Sequence, residues 1–291
     1  MLIIKVFFLA ISFFNIIPLN KNFKKGAGIL LIFLFIPDIF LNPTNDYIWI
    51  FIFISFFSII YFIDDFKGLS AVFRIFLQIV TGLLFIHYFN LDNYFLIFIT
   101  LIIFVILVNF INFQDGLDLN IALYLALFII SNFLYSSASI NHLSLVININ
   151  IFIFLIFFIY FNLRHNFYFG DSGSFIFACL VFMSLLGNST LNQFIMIFNL
   201  MIFPVIDSTY VTLLRIRKKE NLLSRNFYHF YHVVNKKFNG FYYLIPPTFN
   251  FIILFIFYSY SKDITYTTFL ISTILTISNY TFMRIILVKW L

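Results

Sequence analysis

Long apolar runs, separated by short polar breaks, occupy most of this 291-residue chain. A helix needs about 20 apolar residues to cross a bilayer, and these runs approach or reach that length. They lack the two-residue alternation of a barrel strand, so only helices can satisfy the backbone within lipid. We therefore predict an all-α, polytopic membrane helix bundle with about 10–11 transmembrane helices. The candidate spans are 3–18, 27–41, 47–63, 71–89, 94–111, 120–137, 143–161, 173–187, 191–214, 241–260 and 265–288.

The composition excludes two other classes of protein. The chain is 63% hydrophobic and 10% charged, whereas soluble domains are about 45–50% apolar and about 25% charged. Disordered chains are poor in aromatic residues, and this chain contains 48 phenylalanines. The single cysteine, Cys179, excludes an intramolecular disulfide. The first apolar run lacks a clear small-residue cleavage site, so we expect a retained span rather than a signal peptide.

Basic residues lie almost entirely in alternate connections between the predicted spans. Fifteen lysines and arginines fall on one side of the bundle, against Lys5 and Lys262 on the other. Cytoplasmic loops are enriched in Lys and Arg, so the first side is predicted to be cytoplasmic. The same bias accounts for the net charge of +6 without a nucleic-acid partner. We expect one transmembrane domain, 1–291, with polar cytoplasmic loops at 64–70, 112–119, 163–174 and 215–240.

The loop at 64–70 begins with two adjacent carboxylates, Asp64 and Asp65. Neighbouring carboxylates at a membrane edge repel each other and need a cation, a proton or a basic partner. A solvated loop with a turn glycine is the alternative interpretation.

The loop at 112–119 continues a polar run that starts at Asn109. If the run is helical, Asn109 and Asn112 share a face, as do Asp115 and Asp118, because each pair is three residues apart. The amide oxygen of Asn112 is a ligand type that suits Mg²⁺. Helix capping around Gly116 is the alternative.

The loop at 163–174 ends in Gly-Asp-Ser-Gly-Ser, residues 170–174. Glycines, a carboxylate and hydroxyls at a helix start suit phosphate oxygens, since exposed backbone N–H groups point there. Asp171 offers a metal ligand as well. The alternative is an N-cap with turn glycines.

The loop at 215–240 combines basic residues with His229 and His232, one helical turn apart. Two imidazoles beside lysines indicate an anion-binding site, while the basic cluster at 215–219 is better explained as a positive-inside anchor. Asp207, near the end of the preceding span, is costly in lipid and is expected to face the protein interior. Pairing with Arg215 or a neighbouring helix is the simple interpretation of Asp207.

All four polar segments are predicted to reach the same membrane face. A cation bound by Asp64, Asp65, Asn112 and Asp171 suits a diphosphate substrate, with basic loops holding the remaining negative charge.

These motifs, in this order, resemble the polyprenyl-phosphate N-acetylhexosamine-1-phosphate transferase family. That family is glycosyltransferase family 4-like and related to the phospho-N-acetylmuramoyl-pentapeptide transferases; the histidine loop here is closer to the O-antigen-initiating branch. The resemblance extends over about residues 20–235. It rests on Asp64-Asp65 through Ser70 with Arg74 and Gln78, on Asn109 to Asp118, on Gly170 to Ser174, and on Pro204 to Asp207.

The resemblance implies a transfer from a UDP-N-acetylhexosamine to undecaprenyl or another polyprenyl phosphate, with Mg²⁺ or Mn²⁺, at the cytoplasmic face of a bacterial plasma membrane. The lipid bilayer is the expected surrounding, no nucleic acid is expected, and a homodimer is left open. The implied catalytic residues are Asp64, Asp65, Asp115 and Asp118; the implied substrate-binding residues are Lys67, Asn109, Gly170, Ser172, His229 and His232; the implied metal ligands are Asn112 and Asp171.

Two departures from the family pattern stand out. The Arg-Gly-Gly-Gly run expected after the first span is Lys25-Gly26-Ala27-Gly28 here, and Leu119 replaces a glycine expected after Asp118.

Two other functions are carried as alternatives. One is the phospho-N-acetylmuramoyl-pentapeptide transferase reaction of peptidoglycan synthesis. The other is a membrane transporter, but transporters place ionisable residues near the bilayer midplane and often show repeats. Here the carboxylates cluster at span ends and no repeat is evident.

Overall fold

The structure, a computed structural model, describes residues 26–41, 48–135, 142–164, 167–187, 191–221, 226–260 and 266–288. Within these ranges all regular secondary structure is helical and no strand occurs, which confirms the predicted all-α class. The first predicted span, 3–18, lies outside the described residues.

Eleven α-helices occur in the described ranges, together with short 3₁₀ helices at Ala27–Ile29 and Phe241–Leu244. They are α1 (Leu30–Leu41), α2 (Ile48–Lys67), α3 (Ala71–Tyr88), α4 (Tyr94–Gln114), α5 (Asn120–Tyr135), α6 (His142–Asn162), α7 (Gly170–Gly187), α8 (Leu191–Arg217), α9 (Phe230–Phe238), α10 (Ile245–Tyr260) and α11 (Tyr266–Val288).

Eight helical segments of the described residues are long and apolar enough to cross a membrane; they belong to α2, α3, α4, α6, α7, α8, α10 and α11. The apolar helices α1 and α5 are shorter. All ten predicted spans from 27–41 onward therefore coincide with helices. The protein is a multi-span membrane protein by the length and composition of these helices.

The chain divides into two compact units. The first unit comprises Met1–Ile129 and Ala138–Gly187, and the second comprises Ile130–Ser137 and Asn188–Leu291. This division into compact units does not test the prediction of one transmembrane domain over 1–291, which stays a prediction.

Helix α7 forms the core of the first unit. Its side chains are buried on every face from position 172 to 185, as expected of a helix that is apolar all round. It packs against α2 and α4. The rings of Tyr61 and Phe175 stack at 4.5 Å between centroids, and those of Phe104 and Phe182 lie 4.8 Å apart. This packing fixes the start of α7, where the polar residues lie.

Polar contacts between apolar helices hold the second unit together. The buried Asn199 on α8 donates to the hydroxyl of Tyr258 at 2.8 Å and to Ser272 Oγ at 3.0 Å. The hydrophobic effect provides little driving force between helices in lipid, so hydrogen bonds of this kind help to select the helix partners.

Candidate active site

Asp64 and Asp65 lie in the last turn of α2, because the helix continues to Lys67. The sequence placed both in a loop, and the structure corrects this. The buried side chain of Asp64 accepts a hydrogen bond from the backbone N–H of Leu69. Gly68 adopts φ +69°, a left-handed conformation that turns the chain back after α2. The side chain of Lys67 is exposed at the end of this helix.

The carboxylate of Asp65 caps the start of α7. It accepts the backbone N–H of Asp171 at 2.8 Å, the hydroxyl of Ser172 at 3.0 Å and the backbone N–H of Ser172 at 3.4 Å. A negative charge at a helix N-terminus is stabilised by the unpaired N–H groups there. These donors therefore already bind a protein carboxylate, whereas the sequence interpretation left them open to phosphate. The substrate-binding role of Ser172 stays a prediction.

Asp115 approaches the same helix start from the end of α4. Its Oδ2 accepts the backbone N–H of Gly170 at 2.7 Å. Burial of the carboxyl group raises the pKa of Asp115 to about 8; the Gly170 N–H opposes this rise, and the charges of Asp65 and Asp171 add to it. Gly170, predicted to bind substrate, gives its N–H to this carboxylate.

Arg74 on α3 pairs with two of the clustered carboxylates. Its Nε lies 3.7 Å from Asp64 Oδ2, and its Nη1 lies 3.4 Å from Asp171 Oδ2. The sequence placed Arg74 in the helix after the first aspartate motif but gave it no role. We use the term acidic cluster for Asp64, Asp65, Asp115 and Asp171, which these contacts bring together from three separate motifs.

Asn109 links α4 to α3. Its amide donates to Gln78 Oε1 at 2.9 Å and to the carbonyl of Val105 at 2.7 Å. Asn112, one turn later on α4, is half-buried, and its side chain makes no hydrogen bond with the described residues. Its amide is thus available as a ligand, while the amide of Asn109 supports helix packing. The predicted substrate and metal roles of these two residues stay predictions.

The segment from Asp115 to Leu119 is a turn and not a helix. Asp115 and Asp118 therefore do not share a helical face, which was expected only if this run were helical. Leu119 has φ +61°, a conformation that favours glycine. Its backbone N–H donates to Asn162 Oδ1 at 2.7 Å, and the amide of Asn162 donates to the carbonyl of Phe167 at 2.6 Å. Sequence reasoning missed Asn162, which ties this turn to the segment before α7.

Glycine backbones meet at the start of α7. The N–H of Gly28 donates to the carbonyl of Phe169 at 2.9 Å. A Cβ added at Gly28 would lie 2.1 Å from the Cα of Gly173, and one added at Gly170 would lie 2.6 Å from the backbone nitrogen of Gly26. The Gly-Ala-Gly segment therefore packs directly against the helix start that Asp65 caps.

In the second unit, His229 is buried and its Nδ1 lies 2.9 Å from Asp207 Oδ2. His232 is half-buried, with its ring 5.2 Å from that of Phe227 between centroids. Arg215 pairs with Glu220 at 3.6 Å rather than with Asp207. Arg225 lies outside the described residues. The substrate contacts predicted for both histidines stay predictions.

Comparison with known proteins concerns mainly the first unit. Residues 47–189 match the family model described as glycosyl transferase family 4. The matched segment, just under half of the chain, is thus similar to glycosyl transferase family 4. No curated protein matches the chain.

The glycosyl transferase family 4 match runs from the start of α2 to just beyond α7. It therefore includes every residue of the acidic cluster and Arg74. In general terms this family implies a transferase that moves a sugar phosphate onto a polyprenyl phosphate.

The oxygen donors of the acidic cluster fit a hard divalent cation. The buried Oδ2 of Asp64 accepts no hydrogen bond from the described residues, and the charges of Asp65 and Asp171 disfavour the ionised form of the nearby Asp115. No three His, Cys, Asp or Glu side chains in the described ranges form a group that would hold a metal alone. Mg²⁺ usually keeps waters and binds one or two carboxylates together with substrate phosphates. The carboxylate of Asp171 and the amide oxygen of Asn112 are protein ligands of the number and kind that such a site needs.

Proposed function

We propose that this protein transfers N-acetylhexosamine-1-phosphate from a UDP-sugar to undecaprenyl phosphate, or to another polyprenyl phosphate. The products are polyprenyl-diphospho-sugar and UMP, and the reaction initiates O-antigen or a related cell-surface polysaccharide. The observation that carries the proposal is the acidic cluster around the start of α7, which lies within the glycosyl transferase family 4 match.

The reaction joins two anions. An oxygen of the lipid phosphate forms a bond to the β-phosphorus of the UDP-sugar, and the bond from that phosphorus to the bridging oxygen breaks as UMP leaves. A phosphate monoester has its second pKa near ~6, so the attacking group is already ionised near neutral pH. A general base therefore contributes little, and reducing the repulsion between the anions is the larger problem.

Members of the acidic cluster and the neighbouring residues Asn112 and Asp118 have proposed parts in the reaction. Asp171 and Asn112 would hold Mg²⁺ or Mn²⁺, which supplies positive charge to the phosphates when bound. Asp64 lies beside the lipid phosphate. Asp115 and Asp118 position the nucleotide and the groups around the metal.

The contacts of Asp65 and Arg74 support positioning and charge compensation. Asp65 caps α7 through three hydrogen bonds, so its carboxylate fixes the backbone that carries Asp171. The guanidinium of Arg74 touches both Asp64 and Asp171 and adds positive charge close to where phosphates would collect.

The proposed setting is a bacterial plasma membrane with the acidic cluster at the cytoplasmic face. UDP-sugars are made in the cytosol, and the basic loops favour that orientation. The partners are then a UDP-N-acetylhexosamine and a polyprenyl phosphate within the bilayer.

Phosphate labelling tests the proposal. Purified protein in proteoliposomes with undecaprenyl phosphate receives a panel of UDP-N-acetylhexosamines labelled with ³²P in the β-phosphate. Transfer of the sugar phosphate places the label in the lipid and releases unlabelled UMP. Transfer of the sugar alone leaves the label in UDP, and that result would contradict the proposal. Including UDP-N-acetylmuramoyl-pentapeptide in the panel separates the peptidoglycan alternative.

A further inference from the structure

The turn that carries Asp115 and Asp118 is closed by a side chain from the helix that follows it. Asn120, the first residue of α5, is 1% exposed. Its Nδ2 donates to the backbone carbonyl of Gln114 at 2.9 Å and to the Oε1 of Gln114 at 3.1 Å. Gln114 is the last residue of α4, so these two bonds join the ends of the helices on either side of the turn.

The backbone carbonyl of Gln114 determines which way both side-chain amides point. A carbonyl oxygen can only accept, so the NH2 group of Asn120 must face it, and not the amide oxygen. The same NH2 group then requires the oxygen of the Gln114 side chain as its second acceptor. Both residues are buried, so a lost bond would leave the Gln114 carbonyl without a donor from water.

The bond to the Gln114 carbonyl acts directly on the backbone of Asp115. Carbonyls in the last turn of a helix have no partner within the helix and need a donor from elsewhere. The oxygen of Gln114 lies in the same planar peptide unit as the nitrogen and Cα of Asp115. A donor that fixes this oxygen therefore also fixes the plane from which the Asp115 side chain extends.

Asp115 passes this constraint to the start of α7. Its carboxylate accepts the N–H of Gly170 at 2.7 Å, and Asp65 accepts the next N–H along the chain, that of Asp171, at 2.8 Å. Two consecutive backbone N–H groups are thereby held by two different carboxylates. The contacts lead without interruption from Asn120 to the backbone that carries Asp171, and all of these residues belong to the first unit.

The second side chain that holds this turn acts at its other end. Asn162 accepts the N–H of Leu119, four residues after Asp115. Among the described residues, Asn120 is the side chain that binds the peptide unit next to Asp115. The two asparagines therefore hold different parts of the turn, and Asn120 holds the part closest to the acidic cluster.

We propose that Asn120 is a positioning residue for the transfer reaction. Through the Gln114 carbonyl it sets the place of Asp115, and through Asp115 it sets the backbone of Asp171. The part in transfer rests on the proposed function, because these carboxylates act on phosphates only if the transfer occurs. Asn120 is buried and acts on the reaction through Asp115.

Amide hydrogen exchange measures the link between Asn120 and α7 without any reaction. Asn120→Leu removes both bonds to Gln114 and keeps a side chain of similar size. The N–H of Gly170 should then exchange several-fold faster than in the wild type, because the Asp115 carboxylate that accepts it is held less firmly. An unchanged exchange rate in peptides that contain Gly170 would overturn the inference, whether or not the protein is a transferase.

The rate of transfer tests the part in catalysis. In the ³²P assay, Asn120→Leu should lower kcat per folded protein about tenfold, as small misplacements near reacting groups do, and KM for the UDP-sugar should change much less. The double variant with Asp115→Ala should be no slower than Asp115→Ala alone, since both changes act through one carboxylate.

Three kinetic results count against the inference. An unchanged kcat in Asn120→Leu would overturn the positioning role. Effects that multiply in the double variant would show that Asn120 does not act through Asp115. A wild type without transfer activity would reject the proposed function, and with it the part of Asn120 in transfer, while hydrogen exchange would still decide the link to α7.

Asn150→Leu is the matched control. Asn150 is a buried asparagine on α6 of the first unit that donates to Asp38 at 2.8 Å, and neither residue belongs to the acidic cluster. Its variant should have a lower Tm but keep the wild-type kcat per folded protein and the wild-type exchange at Gly170. Equal effects of Asn150→Leu and Asn120→Leu on kcat and exchange would show that lost stability alone explains them, and would overturn the inference.

A second variant carries the test if Asn120→Leu fails to fold. Asn120→Asp keeps the shape of the side chain and removes the NH2 donor. Faster exchange at Gly170 and a several-fold lower kcat in this variant support the inference, and wild-type values for both contradict it.

Discussion

The backbone N–H of Asp171 donates to the carboxylate of Asp65 at 2.8 Å, across a separation of 106 residues. One acidic motif thus caps the helix that carries another. The carboxylate of Asp65 therefore fixes the backbone that carries the Asp171 side chain. The hydrogen bond joins two motifs that are far apart in the sequence and that the sequence alone does not connect.

Removal of the charge of Arg74 should weaken the acidic cluster in a specific way. Arg74→Gln leaves Asp64 and Asp171 without this cation, so repulsion of the incoming phosphates rises and kcat should fall about tenfold or more. The more negative cluster should also bind Mg²⁺ more tightly, which lowers the Mg²⁺ concentration for half-maximal rate. Arg74→Lys should restore part of the rate.

The control for Arg74 is Arg164→Gln. Arg164 is exposed and its guanidinium lies over the Tyr160 ring at 4.0 Å. This variant should leave both the rate and the Mg²⁺ dependence unchanged. Equal effects of the two variants would contradict a special role for Arg74.

Gly28→Ala should destabilise the start of α7. The added methyl would overlap the backbone of Gly173, which has no side chain to move aside. Overpacking costs about 1–3 kcal/mol, and backbone contacts favour the upper end. Thermal unfolding in detergent should show a lower Tm together with reduced transfer. Gly187→Ala, whose new Cβ would meet Phe89 at an ordinary 3.4 Å, should unfold at or above the wild-type temperature.

Leu119→Gly should stabilise the protein. A left-handed conformation costs a residue with a Cβ about 1–2 kcal/mol, and glycine avoids this cost. The greater conformational entropy of glycine in the unfolded chain cancels about 0.5–1 kcal/mol of the resulting stabilisation. We expect a small rise in Tm. Leu117→Gly is the matched comparison in the same turn, where φ is not positive, and it should lower Tm. A fall in Tm for both variants would show that the Leu119 side chain matters more than its backbone.

Asn162→Leu should loosen the turn between α4 and α5. It removes the bonds to the half-buried Leu119 N–H and to the buried Phe167 carbonyl, and the loss of a buried hydrogen-bond partner costs about 1–3 kcal/mol. Both Tm and transfer should fall. Asn162→Asp keeps the acceptor for the Leu119 N–H but loses the donor to Phe167, so it should lie between the wild type and Asn162→Leu. Equal Tm values for all three proteins would contradict the linking role.

Features with local physical causes were predictable from the sequence. The positions of the helices followed from apolar runs, and the acidic residues stood out because charge is rare and costly near lipid. The glycine expected where Leu119 stands was the one signal for a left-handed residue in the turn after Asp115. No residue pattern indicated that this turn would interrupt the helical spacing of Asp115 and Asp118.

Features that depend on tertiary contacts were not predictable. Asn162 looks like any polar residue at a helix end, and its two bonds exist only because distant segments pack beside it. Asp207 was expected to pair with Arg215 or a neighbouring helix, and the choice of Arg284 on α11 depends on how α8 and α11 pack. Asp65 as a cap of α7 likewise requires the packing of α2 against α7.

The most direct test of the central claim is the rate of ³²P transfer to lipid by Asp65→Asn and Asp171→Asn in the same proteoliposomes as the wild type. Asp92→Asn, at an exposed position between α3 and α4, is the control. We expect both cluster variants to insert normally and to lose about 100-fold or more of the rate, while Asp92→Asn retains it. Full transfer by correctly inserted Asp65→Asn or Asp171→Asn would contradict the assignment of the acidic cluster as the active site.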